Sequence, residues 1–502
     1  MNIKVRFLDI GTEPTVVINA EDALKIGGKD NDRVRIDGAK KSATALLNVS
    51  DLMRPGEAVL SGNLKDKLKA SDGDEMAIVY ASNPESVRSI RKKMDKEKLS
   101  KEEIAAIVTD ILENRLSKIE VSAWLTALYI NGMDIEEIAD FTEAMVDTGD
   151  RVEFDRSPVY DFHSMGGVPG NKITPIVVSI VAAAGLMLPK TSSRAISSAC
   201  GTSDFVETFC DVEMDAATLK KISEEVGGVL AWGGAMNLAP VDDLVIKVEH
   251  PLGINPRAQM LASILSKKLA IGATHLVIDI PTGGGTKVPT IEVARAYARD
   301  FMDLGEKLNI HVECAITYAD QPVGSAIGPK LEARECVRIL EGEKHPASVI
   351  EKACDLAGII LEMGGFSDGS DKAREILDSG AAMKKFREIV AAQKGDYNIS
   401  SEDLVPGEYV ADITSPKSGY VHSMSNKDLV SIAVASGSPS DKGAGILLMK
   451  KKGQRVEKGD VLFQIYGDNK AKVERAKELA AKYKPIVIEG MLLKRIAAPR
   501  TR

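Results

Sequence analysis

The sequence has little of what secreted, membrane-spanning or nucleic-acid-binding proteins require. Five cysteines among 502 residues are too few for a disulfide framework. This scarcity favours a reducing compartment, so we expect a cytoplasmic protein. Acidic residues outnumber basic ones by 73 to 65, which gives a net charge of −8. Because a nucleic-acid binder neutralises phosphates with clustered Lys and Arg, this balance argues against nucleic acid as the main partner.

Long apolar runs and metal-ligand clusters are missing as well. The most apolar stretch, residues 175–188, is shorter than the roughly 20 residues of a bilayer span, so we expect no membrane contact. The six histidines show no paired spacing typical of zinc sites, and no G-x-S-x-G nucleophile motif is present. We therefore expect neither a metal nor an organic cofactor.

Changes in hydrophobic period predict an α/β multidomain fold with four domains. Residues 1–84 alternate like short strands and predict a small N-terminal β-barrel-like domain. Residues 85–155 have a helical period, and three capping boxes there predict three consecutive antiparallel helices. Residues 156–400 alternate between strand-like and helical runs, which predicts a mostly parallel α/β domain that binds nucleotide and phosphate. Part of that domain can return to the helical one, and residues 405–502 predict a C-terminal α+β domain.

Ligands of open parallel sheets bind in the loops that follow the strands. The predicted strands of the central domain are Val159–Phe162, Leu186–Leu188, Val229–Trp232, Leu276–Ile280 and Ile310–Ile316. Three of the segments that follow them are rich in Gly, Ser and Thr: residues 163–174, 190–204 and 279–287, called here the first, second and third loops. All three suit the binding of an anion.

The first loop reads HSMGGVPGNKIT, and we expect Thr174 to cap a helix that has Pro175 at its first position. Its glycines would let the backbone approach a phosphate closely, with His163 and Ser164 as candidate phosphate contacts. The spacing matches neither a P-loop nor the dinucleotide fingerprint. Taken alone, an ordinary tight turn explains this loop equally well.

The other two loops also carry cations. The second loop contains seven hydroxyl side chains together with Lys190 and Arg194, donors that suit a phosphate or a sugar. The third loop has three successive glycines followed by Lys287, although a solvated surface lysine is about as good an interpretation. Between these loops, residues 255–268 predict a helix with Asn255 at its N-cap. Ser263 and Lys267 lie four residues apart on one face of that helix, so both can reach one ligand.

The second loop resembles the signature of the thymidine and pyrimidine-nucleoside phosphorylase family. The matching residues are Ser192, Arg194, Ala195, Gly201, Thr202, Asp204 and Glu207, with Cys200 where Gly or Ala is usual. Further matches are His163-Ser164-x-Gly-Gly, Ser263-x-x-x-Lys267-Lys268, residues 321–328, 418–421 and 443–445, so the resemblance covers residues 85–490. The N-terminal β domain and the sequences SRAISS and DIPTGGGTK are most similar to an archaeal branch that acts on AMP.

This resemblance implies reversible phosphorolysis of AMP, and of CMP and UMP, to the free base and ribose 1,5-bisphosphate in nucleotide salvage. Inorganic phosphate is then a co-substrate, no cofactor is needed, and we expect a homo-oligomer, a dimer or larger. The resemblance places AMP against Gly167, Ser193, Arg194, Ala195, Ile196, Ser197, Ser198, Thr202, Ser263 and Lys287.

Two positions depart from the family pattern. The family's proton donor is an Asp that matches Asn255, whose amide cannot act as a general acid at neutral pH. Lys267 is the second candidate catalytic residue. Nucleoside phosphorylases have a Lys directly before His-Ser, where this sequence has Phe162. The resemblance therefore implies a rebuilt phosphate site, for which Lys287 offers another cation.

Three other functions fit parts of the sequence. A phosphorylase that uses uridine or thymidine fits the same signature. Residues 447–460 resemble the second half of a biotinyl or lipoyl domain, which suggests a carrier or scaffold, although the hairpin that would present a modified lysine is not recognisable. A non-catalytic AMP-binding protein is consistent with Asn255.

Overall fold

A computed structural model describes residues 1–9, 13–195 and 198–492. The chain divides into two compact units, residues 1–149 with 239–266, and residues 150–238 with 267 onward. The α/β multidomain fold class is confirmed, whereas the four domain boundaries stay a prediction. None of the described helices combines the length and the apolar character that a membrane crossing requires.

The N-terminal part of the first unit is a small closed barrel. Its described strands are β1 (Asn2–Leu8), β2 (Thr15–Ile18), β3 (Arg33–Asp37), β4 (Ser42–Val49), β5 (Glu57–Ser61) and β6 (Glu75–Tyr80), in the order β1-β5-β2-β4-β3-β6. Alternate residues of each strand, such as Ile3 and Val5, are buried in the barrel core, which explains the period of two in the sequence. Two helices not predicted, α1 (Ala20–Ile26) and α2 (Asn63–Leu68), are too short to show a helical period.

Four helices follow the barrel: α3 (Ser86–Met94), α4 (Lys101–Leu112), α5 (Lys118–Asn131) and α6 (Ile135–Asp147). All three predicted capping boxes are present, at Ser100 and Glu103, Ser117 and Glu120, and Asp134 and Glu137. The helix α3 lacks such a box and was not predicted. It packs against α4 and α5, while α4 packs against α6.

Beyond residue 150 the chain alternates between strands and helices. These elements are β7 (Tyr160–Ser164), α7 (Thr174–Ala183), β8 (Leu188–Ser192), α8 (Thr202–Val206), α9 (Ala216–Val226), β9 (Gly228–Trp232), a 3-10 turn (Gly233–Ala235), α10 (Pro240–Leu252), α11 (Arg257–Ala270), β10 (His275–Thr282), α12 (Ile291–Lys307) and β11 (His311–Tyr318). The strands pair in parallel as β11-β10-β7 and β8-β9, as predicted. The helix α10 and residues 257–266 of α11 belong to the first unit, where α10 packs against α4 and α5.

Three local predictions in this region are wrong. The strand predicted at 186–188 runs from Leu188 to Ser192, so Lys190 lies in a strand rather than a loop. A lysine is rare in a buried strand unless it is paired, and the partner of Lys190, Asp161, is remote in sequence. The sequence therefore did not indicate that Lys190 lies in the strand. Thr174 caps nothing: it is the first residue of α7, and buried Ile173 takes the cap position. The helix α11 begins at Arg257, and its first turn closes on the Pro256 carbonyl at 3.0 Å, which leaves Asn255 before the cap.

The remaining elements form the helical and α+β parts of the second unit. They are β12 (Ala326–Ile327), α13 (Pro329–Leu340), α14 (Ala347–Met363), α15 (Gly369–Asp378), α16 (Ala381–Ala392), a 3-10 turn (Ser401–Asp403), β13 (Tyr409–Thr414), β14 (Gly419–Met424), α17 (Asn426–Ala435), β15 (Gly445–Leu448), β16 (Arg455–Val456), β17 (Val461–Gly467), α18 (Lys470–Tyr483) and β18 (Ile486–Glu489). The C-terminal sheets have the orders β12-β15-β17-β13 and β16-β14-β18. The core of the unit centres on α7, which packs against α14, α15 and α16.

Candidate active site

The three loops follow the carboxyl ends of strands in the second unit. In the parallel register of β7 and β10, His163 lies opposite Ile278 and Ser164 opposite Asp279. The first and third loops meet at Gly167, which has a φ of +85°. A Cβ atom there would lie 2.9 Å from the backbone nitrogen of Lys287. Glycine is therefore required on both counts, and the fold brings candidate residues Gly167 and Lys287 into contact.

A buried cluster of charges lies next to the first loop. The carboxylate of Asp161 on β7 is 2.6 Å from the Lys268 ammonium and 3.6 Å from that of Lys190. Lys190 also donates to the Thr191 carbonyl at 2.6 Å and lies 5.2 Å from the centre of the Phe162 ring. Burial lowers the pKa of Lys190 to about 7, with Lys268 acting in the same direction and Asp161 opposing it. Two buried lysines thus share one carboxylate, and because a pKa of about 7 leaves Lys190 about half protonated near neutral pH, the cluster has a small net positive charge.

His163 lies within this positive region. Burial lowers the pKa of His163 well below its ordinary value of 6.5, and the charges of Lys268, Lys190, Lys267 and Lys287 lower it further. The imidazole is therefore neutral near pH 7, with one nitrogen that donates and one that accepts. The candidate phosphate contact His163 and the candidate cations Lys267 and Lys287 thus act on one another electrostatically, an arrangement that favours an anion.

Ser164, the other candidate phosphate contact, is the last residue of β7. Its hydroxyl accepts a hydrogen bond from the side-chain amide of Asn171 at 2.9 Å. This contact closes the first loop on itself, since it joins two residues that are seven positions apart.

A single carboxylate holds the second loop in shape. The backbone N–H groups of Ala195 and Gly201 both donate to Oδ2 of Asp204, at 2.7 and 2.8 Å. A Cβ atom at Gly201 would lie 2.6 to 2.7 Å from backbone atoms of residues 193–195, so the two sides of the loop pack without space between them. The loop therefore brings Ser193 and Ala195 next to Thr202, the first residue of α8. The candidates Ile196 and Ser197 lie outside the described residues.

Two further candidates of the second loop contact other protein groups. The Arg194 guanidinium lies 2.8 Å from Glu207, 2.9 Å from Glu213, and 4.6 Å from the centre of the Trp232 ring. Ser198 donates to the Cys200 carbonyl at 3.3 Å. Contacts of Arg194 and Ser198 with a nucleotide stay a prediction.

Two candidate residues, Asn255 and Ser263, belong to the first unit. The Ser263 hydroxyl donates to Asp242 on α10 at 2.8 Å, and the Gln259 amide donates to the other oxygen of the same carboxylate at 3.1 Å. Asp242 is fully buried, so it fixes the direction of the Ser263 hydroxyl. The Asn255 amide lies 3.9 Å from the Met260 sulfur.

Sequence reasoning named Lys190 as a cation of the second loop but missed Asp161, Lys268 and Asp242, the charged residues that pair with candidate residues. Lys190 stood in the second loop and Lys268 in a matched motif, but the carboxylate that they share could not be assigned because Asp161 is distant in sequence. Within the described ranges, no group of three His, Cys, Asp or Glu side chains is arranged to hold a metal ion. The expectation of no cofactor stays a prediction.

Comparison with known families defines the class of protein. Residues 87–149 match the helical bundle domain of a glycosyl transferase family, residues 156–383 its a/b domain, and residues 420–487 a pyrimidine nucleoside phosphorylase C-terminal domain. Anthranilate phosphoribosyltransferase from Thermus thermophilus has a similar fold, with a TM-score of 0.52 at 21% identity, over 61% of this chain and 99% of that chain. The class is therefore that of the glycosyl transferases.

Curated relatives narrow the class. A protein of Thermococcus kodakarensis named AMP phosphorylase is 50% identical over 99% of both chains. AMP phosphorylase 1 of Archaeoglobus fulgidus is 47% identical over 95% of both chains, and AMP phosphorylase of Pyrococcus abyssi is 49% identical over 98% of this chain and 99% of its own. This chain belongs to the family of these archaeal phosphorylases, as its loop motifs predicted.

Proposed function

We propose that this protein catalyses the reversible phosphorolysis of AMP, and also of CMP and UMP, to the free base and ribose 1,5-bisphosphate. The observation that carries the proposal is the relationship, at 50% identity over 99% of both chains, to a protein named AMP phosphorylase. We place the reaction in nucleotide salvage, with orthophosphate as co-substrate and no cofactor. A cytoplasmic location and a homo-oligomeric state stay predictions.

The bond that breaks joins the ribose anomeric carbon to the base nitrogen. Its cleavage develops oxocarbenium character on the sugar, while negative charge builds on the departing base. Donors directed at the base therefore lower the barrier. Orthophosphate is itself the nucleophile, so the protein needs no covalent intermediate, and its main task is to position two anions and one base.

The charges of the second unit suit two anions. We assign the nucleotide to Gly167, the second loop and Lys287, and orthophosphate to His163 and Ser164. A nucleotide contact of Ser263 stays a prediction of the family resemblance. A neutral His163 donates a hydrogen bond to phosphate without adding a charge. The positive potential at His163 comes from Lys268, Lys190, Lys267 and Lys287. Among these we assign to Lys287 the compensation for Phe162, which stands where nucleoside phosphorylases have a lysine.

The proton donor for the departing base is the assignment that differs most from the family pattern, which has an Asp where this chain has Asn255. Asn255 can donate a hydrogen bond to the base but cannot transfer a proton at neutral pH. Lys267, on the same helix as Ser263, carries transferable protons. We therefore assign hydrogen bonding of the base to Asn255 and proton donation to Lys267.

The test is phosphate-dependent release of base from AMP, CMP, UMP, adenosine and thymidine, each with and without phosphate. We expect release from the nucleotides only, and only with phosphate. Faster release from adenosine or thymidine would instead establish a nucleoside phosphorylase.

Asn255→Asp addresses the non-catalytic alternative. We expect the native chain to turn over AMP, whereas activity confined to the substituted form would identify the native protein as an AMP binder. Intact mass addresses the carrier alternative, since biotin or lipoate on the chain would contradict the proposal.

A further inference from the structure

Three successive lysines in the turn between β15 and β16 have different partners. Lys450 pairs with Asp460 at 3.1 Å. The ammonium of Lys451 donates to the backbone carbonyls of Pro322 and Gly324, the latter at 2.7 Å. The next residue, Lys452, donates its backbone N–H to the Gln321 side chain at 2.9 Å. The turn thus contacts residues 320–324, called here the bridging segment, which follows β11.

The bridging segment in turn contacts two of the three loops. The Val323 N–H donates to the Pro169 carbonyl of the first loop at 3.0 Å. On the other side, the Asp320 carboxylate accepts the Gly284 N–H of the third loop at 2.6 Å. A Cβ atom at Gly283 would lie 2.6 Å from the Asp320 backbone nitrogen, so the two backbones pack too closely for any side chain at this position. A shift of the bridging segment would therefore move both loops.

The C-terminal region contacts the second loop as well. The buried Ser438 hydroxyl donates to the Ala199 carbonyl at 2.6 Å. Lys442 pairs with Glu207, which also holds Arg194. All three loops are thus connected to one C-terminal α+β region, either directly or through the bridging segment.

Lys451 supplies two of these contacts. Its hydrogen-bond partners are two carbonyl oxygens of one short segment, so a single ammonium group fixes two peptide groups at once. Lys172 and Glu335 are the charged groups that act on it: burial lowers the pKa of Lys451 to about 8, Lys172 lowers it further and Glu335 opposes the shift. The two carbonyl contacts must offset the loss of hydration of a largely charged group, which ties the side chain to this one geometry.

We propose that Lys451 is a positioning residue for substrate binding: its ammonium group fixes the bridging segment, which sets the first and third loops for phosphate and AMP. The C-terminal region then acts as a brace for the loops rather than as a carrier of a modified lysine. The inference rests on the proposed function, because it assigns these loops to the substrates.

The test compares Lys451→Met with Lys450→Met, a matched change one residue away in the same turn. We expect Lys451→Met to raise KM for AMP and phosphate about tenfold or more while kcat changes less, because substrate binding is what the loops supply. Lys450→Met removes a partly exposed ion pair, so KM should change by less than about twofold. Lys451→Arg should restore KM to within about threefold, because a guanidinium can donate to both carbonyls.

Hydrogen exchange of the folded, substrate-free proteins gives a readout that does not depend on catalysis. Peptides spanning residues 165–172 and 281–288 should exchange faster in Lys451→Met than in the native chain or in Lys450→Met. Unchanged exchange, or an equal rise of KM in both variants, would overturn the brace. If the native chain releases no base from AMP while exchange changes as expected, the proposed function fails and the brace stands. Should Lys451→Met not fold, Lys451→Gln, whose amide can donate to one carbonyl, takes its place under the same criteria.

Discussion

Asp204 offers the sharpest test of how the second loop is built. One oxygen of its buried carboxylate accepts the N–H groups of Ala195 and Gly201, at 2.7 and 2.8 Å. Asp204→Asn can place its amide oxygen in the same position and keep both bonds, but with a neutral acceptor. Charge-assisted bonds contribute about 1.5 to 3 kcal/mol and neutral ones about 0.5 to 1.5, so the loss is about 2 kcal/mol. Asp204→Ala removes both charge-assisted bonds of two partly buried N–H groups, a loss of up to about 6 kcal/mol that hydration reduces.

Because the proposed function assigns the nucleotide to this loop, we expect these losses to weaken nucleotide binding when they fall on the bonded form of the loop. A loss of 2 kcal/mol corresponds to about a thirtyfold rise in KM for AMP in Asp204→Asn, with a larger rise in Asp204→Ala. Steady-state kinetics measures the effect on binding, and hydrogen exchange of the Ala195 and Gly201 amides measures loop opening directly. The ordering of the two variants is the critical result. Equal effects of Asn and Ala, or amides protected as in the native chain, would refute the assignment of these bonds to Asp204.

Three further predictions concern the buried charges. The pKa of Lys190 is about 7, and a bound anion would raise it, so sulfate binding at pH 8 should be accompanied by proton uptake. Calorimetry in buffers of different ionisation enthalpy measures this uptake. Proton uptake that persists in Lys190→Met would contradict the prediction. Lys93→Met leaves the buried Glu137 carboxylate without its ion-pair partner and should lower the free energy of unfolding, measured in urea, by about 3 to 5 kcal/mol. Lys92→Met breaks a partly exposed pair with Glu103 and should lower it by about 0 to 1 kcal/mol. Equal losses in the two variants would show that burial does not matter here. Burial raises the pKa of Glu332 from 4.5 to about 7, so the stability associated with its protonated form is present below pH 4.5 and lost as pH rises through 7. Glu332→Gln should therefore stabilise the protein at pH 8 by up to about 3 kcal/mol and have little effect at pH 5, and an equal gain at both pH values would count against this.

Sequence reasoning succeeded where the decisive contacts are local. The capping boxes of α4, α5 and α6 each join residues three positions apart, so their start points could be assigned within the helical region. The parallel sheet followed from the alternation of strands and helices, and the second loop from a motif whose residues lie close together. Asp204 was part of that motif, although its two backbone bonds become visible only in three dimensions.

The rest depends on contacts between remote segments. Lys190 meets Asp161 from the preceding strand and Lys268 from α11, and its polarity led to a strand placed two residues too early. Lys450, Lys451 and Lys452 are alike in sequence, and only the fold distinguishes the one that reaches Pro322 and Gly324 across more than a hundred residues. Asp242 likewise fixes Ser263 from a separate helix. Such pairings have no local pattern to indicate them.

The closed barrel at the N-terminus has a consequence for assembly. An open sheet ends in strands whose free N–H and C=O groups can recruit a strand from another molecule. The described strands β1 to β6 return on themselves, since β1 pairs with both β5 and β6. Docking by strand addition is thereby blocked for this module. Another subunit would have to recognise it through side chains, and such a contact can be tuned or abolished by single surface substitutions without disturbing the backbone pairing beneath.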